Sequence, residues 1–173
     1  DALRAKVEKE YDLAYKLFSA KLRCKFEKPK LLLGNVFLLD YLKTYHSNKI
    51  SALLLFKYSM LYDDFGHCII VADRMLKSKL PSEEKNEKCG FDAERIYNFL
   101  HELTHVLCVS INPIFHSGNI LALINDSNVS SLFQGLVYTV VDEGVADYLA
   151  VKICESLPVS YLEGVDAQQL RLK

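Results

Sequence analysis

The sequence predicts an α+β domain, a small, largely antiparallel sheet packed on two long helices. Three observations lead there. Apolar side chains recur at three- and four-residue steps between Asp92 and Asn112, and again from Leu136 to Leu157, as they do on helices. Between Gly66 and Asp73 lies a short apolar run, Cys68-Ile69-Ile70-Val71, with the look of a strand. The chain has 173 residues, half of them hydrophobic, which is enough for one domain with one core.

Taken in order, residues 1–23 form an amphipathic helix. Leu3, Val7, Tyr11, Ala14 and Phe18 make its apolar stripe between many Lys and Glu. Phe26 to Leu33 is a linker around Pro29 that runs into a short apolar stretch. Val36 to Tyr45 reads as a helix, and Ile50 to Met60 as a strand or a buried helix, since periodicity alone does not separate the two. Tyr62 to Gly66 reads as a turn and His67 to Ala72 as the strand after it. Lys77 to Gly90 is charged and loop-like. Asp92 is placed to cap a helix whose stripe is Ile96, Phe99, Leu100, Leu103, Val106 and Leu107, and Asn112-Pro113 ends it. Ser127 to Ser131 is polar and ends at an N-cap for the last helix. Its apolar residues are Leu136, Val137, Val140, Val141, Leu149, Ile153 and Leu157. Residues 156–173 form a tail. No repeat divides the chain, so 1–173 is read as a single domain.

A formal net charge of −1 argues against nucleic acid or an anionic membrane as main partner. No run reaches the roughly 18 apolar residues of a membrane helix, and the start lacks a signal-peptide pattern. Five Cys, an odd number without a CxxC pair, fit reduced thiols, so a cytoplasmic protein is expected.

The chemistry lies in His101-Glu102-Leu103-Thr104-His105. Residues four apart on a helix share a face, so His101 and His105 can reach one metal ion. Glu102 is turned by roughly 100° from His101, too far to ligate alongside it but within reach of a water. Zinc lowers the pKa of such a water to about 7, and a glutamate so placed can take its proton as general base. On the opposite side from the apolar stripe lie Glu94, Tyr97, Asn98, His101, His105 and Cys108.

A third ligand is needed. Cys108 and Ile111 stand where a metzincin would have Gly and His, which excludes that class. His116 follows Pro113 and precedes Ser117-Gly118, in what reads as an irregular segment. Cys108 lies two turns from His101 and reads as a buried thiol. Glu143, on the second helical pattern with Asp147 one turn further on, is the best candidate. Two His and one Glu on zinc leave a fourth position open, the layout of a catalytic site.

His101-Glu102-Leu103-Thr104-His105 with Glu143-Gly144-Val145-Ala146-Asp147 resembles the gluzincins, the thermolysin-like zinc metallopeptidases, and among them the single-domain minigluzincins. The resemblance spans roughly residues 60–155 and implies a zincin-like fold. It implies zinc on His101, His105 and Glu143, Glu102 as general base, and Asp147 as the carboxylate orienting the first histidine. It implies a peptide or unfolded protein as substrate, held along an edge strand shortly before the metal helix, for which His67 to Ala72 is the candidate. An oxyanion-stabilising Tyr or His also belongs to the pattern; Tyr138, Tyr148, Tyr161 and His116 are the candidates. By the same resemblance the tail, with Tyr161 and Glu163, is a candidate for a latency segment that fills the cleft. Two other readings stand beside it. Ala146-Asp147-Tyr148-Leu149-Ala150 also resembles the downstream helix of ImmA/IrrE-type regulatory metalloproteases, which cleave one dedicated target. Alternatively, zinc holds two helices together in a non-catalytic binding domain.

Overall fold

The computed structural model describes residues 2–34, 60–76 and 92–157. The readings for 36–45, for most of 50–60, for 77–90 and for the tail from Pro158 onward, with its Tyr161 and Glu163, lie outside these residues.

Helix α1 (Ala2–Leu22) forms where the amphipathic pattern places it. Val7, Tyr11, Ala14 and Phe18 are all buried, so the stripe read from the sequence is the face that packs. Arg23, at φ 52°, turns the chain out of the helix. The loop then folds back along α1: the Tyr15 hydroxyl donates to the Phe26 carbonyl at 2.7 Å and the Tyr11 hydroxyl to that of Pro29 at 2.6 Å.

Among the described residues three strands follow, β1 (Lys30–Leu33), β2 (Met60–Asp63) and β3 (Cys68–Val71), in the spatial order β1-β3-β2. β2 and β3 form an antiparallel hairpin, and β1 pairs with β3 in parallel. The sheet is therefore mixed rather than largely antiparallel. The apolar run before Gly34 gives no sign of direction, and a parallel partner needs a long connection, here residues 34–67 with β2 inside it. Tyr62 and Asp63, read as part of a turn, belong to β2; the turn is Asp64 to His67. Asp63 closes it by accepting from the Gly66 backbone N–H at 2.7 Å. β3, the expected edge strand, is the middle one and buried throughout, as its unbroken apolar run allows. Among the described residues β2 is an edge.

A one-turn helix α2 (Asp73–Leu76) leads out of the sheet. Helix α3 (Ala93–Ile111) begins at Asp92, whose side chain accepts from the Arg95 N–H, and ends at Asn112. Its buried residues Ile96, Phe99, Leu100 and Leu103 join one core with the α1 stripe, Leu33, Met60, Ile69, Val71, Ala150 and Ile153. Inside that core sits an ion pair. Arg95 Nε lies 2.5 Å from Glu10 Oε2 and Nη2 lies 3.1 Å from Oε1, with both side chains buried. Glu10 Oε1 also accepts from the Asp92 N–H at 2.8 Å, so the pair clamps α1 to the first turn of α3.

After a 3₁₀ turn (Pro113–Phe115), His116 stands in a bend at φ −57° and ψ 130°, and helix α4 (Ser117–Ile124) follows it. Helix α5 (Val129–Cys154) is capped three residues before the expected position, by Asn128, whose side chain accepts from the Ser130 N–H at 2.8 Å. A Cβ at Gly135 would stand 2.8 Å from Ile124 Cγ1 and 3.1 Å from its backbone nitrogen, so only glycine lets α4 and α5 approach this closely. The second half of α5 joins the core through Ala146, Ala150, Ile153 and Cys154. Its first half does not: Leu136, Val137, Val140 and Val141, expected as core residues, are exposed. No described helix is long and apolar enough to cross a membrane.

Candidate metal centre

α3 presents His101 and His105 on one face, with the two Nε2 atoms 3.0 Å apart. α5 runs antiparallel to it and brings Glu143 against both: Oε2 is 3.3 Å from His101 Nε2 and Oε1 is 3.9 Å from His105 Nε2. One ligand atom from each of the three lies within 4.8 Å of the others. Bonds of about 2.0–2.1 Å in a tetrahedron put neighbouring ligand atoms roughly 3.3 Å apart, so these spacings suit zinc. Among the described residues this is the group that could hold a metal ion.

Each imidazole is turned so that Nε2 faces the site, because its other nitrogen is engaged. His101 Nδ1 lies 2.9 Å from Asp147 Oδ1, and His105 Nδ1 lies 2.8 Å from Asp142 Oδ2. A carboxylate on Nδ1 fixes the tautomer that leaves Nε2 free to ligate and raises its basicity. The structure thus brings Asp147 and His101 together. Asp142 was not singled out in the sequence. Its signal was the antiparallel register: four residues forward on α3, from His101 to His105, correspond to about as many backward on α5, from Asp147 toward Asp142 and Glu143.

The electrostatics follow from these contacts. Burial pulls the His105 pKa down, but the Asp142 hydrogen bond and the Glu102 charge outweigh it and raise it to about 9. His101 is also raised, burial being overcome by the Glu143 hydrogen bond and Glu102. Glu143 is lowered, chiefly by its hydrogen bond with His101. Glu102 is buried, and burial raises its pKa against the pull of both histidines and of a backbone N–H. That N–H belongs to Tyr62 on β2 and lies 2.7 Å from Glu102 Oε2. The expected base is thus hydrogen-bonded to β2.

The alternative ligands are placed elsewhere. Cys108 is buried beside Asp142; burial and that carboxylate push its thiol up to about 12, so it stays protonated. His116 points Nδ1 at Asp64 Oδ2, 3.0 Å away, and Asp64 also accepts from the Ser117 N–H and hydroxyl at 2.6 and 2.8 Å. This clasp ties the start of α4 to the β2–β3 turn. Of the oxyanion candidates, Tyr138 packs edge-on against Phe115 at 6.0 Å between ring centroids, and Tyr148 is exposed.

Comparison with family models, curated proteins and solved structures finds no match to the chain.

Proposed function

We propose that this protein is a zinc-dependent peptidase of the gluzincin type. The observation that carries the reading is the convergence of His101 Nε2, His105 Nε2 and the Glu143 carboxylate, with an aspartate on each histidine Nδ1. Three protein ligands leave a tetrahedral ion one position short, as in catalytic zinc sites. When bound, zinc supplies Lewis acidity and lowers the pKa of a water to about 7.

The rest of the work falls to side chains. Glu102 takes the proton of the attacking water on its carboxylate and returns it to the leaving amine. Its burial favours the protonated form, which suits a group that must both accept and give back a proton. Tyr62 N–H holds Oε2 and leaves Oε1 for that proton. β2 is an edge among the described residues, so a peptide in extended form can add to it as a further strand and carry a carbonyl to Glu102.

The test is elemental analysis with the Glu102→Gln variant. The wild type should hold one zinc per chain and cleave unfolded protein. The variant should keep the zinc and lose at least about a hundredfold in hydrolysis, the lower range for a general base. Wild type and variant equally inert on varied peptides at neutral pH would sink the peptidase reading and favour zinc as a structural brace.

A further inference from the structure

The two aspartates that turn the histidines live in different surroundings. Asp142 is 13 % exposed, held in the partly buried seam beside His105. Asp147 is 57 % exposed, on a helix face where an aspartate is free to change rotamer. Yet the metal reading requires Asp147 Oδ1 to stay on His101 Nδ1. A second donor meets that need. The Tyr97 hydroxyl donates to the same Oδ1 at 2.8 Å, while His101 Nδ1 stands 2.9 Å from it. Tyr97, His101 and His105 follow one another at four-residue steps on α3, so the hydroxyl comes from the helix that carries both histidines, one turn before the first. The Tyr97 and His101 rings lie 6.4 Å apart, and the carboxylate from α5 bridges their polar ends.

We propose that Tyr97 is a positioning residue of the metal centre, pinning the exposed Asp147 so that His101 keeps its Nε2 on the ion. The inference rests on the metal-binding part of the reading above and not on the peptidase part. Tyr97 touches neither the metal position nor substrate; it acts through Asp147.

Tyr97→Phe is the informative change, because it removes one hydroxyl and keeps the ring that packs. Zinc affinity, measured by competition with a chromogenic chelator, should fall by about tenfold, the low end for an outer partner of a metal ligand. The visible spectrum of the cobalt-substituted protein should shift as His101 is released. In an Asp147→Ala background the same change should alter affinity by less than about twofold, because the acceptor that couples Tyr97 to His101 is gone. In an Asp142→Asn background it should keep its full effect. Unchanged zinc affinity and an unchanged cobalt spectrum in Tyr97→Phe would overturn the proposal, as would an equal loss in the Asp147→Ala background. A wild-type chain that binds neither zinc nor cobalt would overturn the metal-centre reading itself, and this proposal with it.

Discussion

On α3, Ile96, Phe99, Leu100 and Leu103 are buried, while on the first half of α5 Val129, Phe133 and Val140 are 79 %, 66 % and 72 % exposed. The site inherits this contrast. Its two imidazoles stand on a helix capped at both ends, clamped to α1 by Glu10 and Arg95, and packed along one whole face. Of its carboxylates, Glu143 and Asp147 stand on the open side of α5, 58 % and 57 % exposed. Histidine positions are therefore set by the core. Glu143 is set largely by its contacts with the histidines, and Asp147 by its bonds to His101 and Tyr97.

The largest effect that tests this is at the clamp. Arg95→Ala leaves Glu10 buried without its counter-charge, and breaking such a pair costs about 3–5 kcal/mol. Val140→Ser, on the open side of α5, should change stability by no more than about 0.5 kcal/mol. Urea unfolding of both variants measures this. Similar losses in the two would break the comparison, because α5 would then be anchored as firmly as α3.

A second, smaller effect concerns metal removal. An ion tied to both helices should stabilise α5 locally more than α3. Stripping the metal should speed amide exchange in the turns around Glu143 by about tenfold or more, corresponding to about 1.4 kcal/mol, while the amides of α3 from Phe99 to Leu103 change far less. Uniform acceleration over both helices would show that the ion supports the whole domain and not the carboxylate side.

α3 was legible because its apolar residues lie on one side only. Asp92 as cap, Asn112 as stop and the stripe between them all follow from that one-sidedness. α5 is apolar on several sides at once, so periodicity could announce a helix but not which face is covered. Buried Ala146, Ala150 and Cys154 looked less like core than exposed Leu136 and Val140. The Glu10–Arg95 clamp was hidden for another reason: in a linear sequence a buried ion pair looks like two solvated charges. β2 was lost because Tyr62 and Asp63 run directly into Asp64 and Gly66, and the turn signal masked a four-residue strand. At the site, the spacing of His101 and His105 carried its meaning locally, whereas Asp142 could be found only from the register of two helices.

The smallest expected effect is in pH, and it concerns what holds the helices together without a metal. The His105 pKa stands at about 9, above the roughly 6.5 of an unfolded histidine. The native state therefore binds more protons than the unfolded chain across that interval. The resulting stabilisation is fully present below about pH 6.5 and is lost as pH rises through 9. His101, also raised, adds in the same direction. Between pH 7 and 8 the metal-free protein should lose roughly 1 kcal/mol, since one proton of difference changes stability by about 1.4 kcal/mol per pH unit. Zinc reverses the sign. It competes with protons for Nε2, so a zinc-loaded protein should be as stable or more stable at pH 8 as at pH 7. Thermal melts at the two pH values, with and without zinc, measure both slopes. A flat metal-free profile would mean that the His105–Asp142 pair is not charged in the folded chain, and that α5 is held to α3 by packing at Ala146 and Ala150 rather than by the charges of the site.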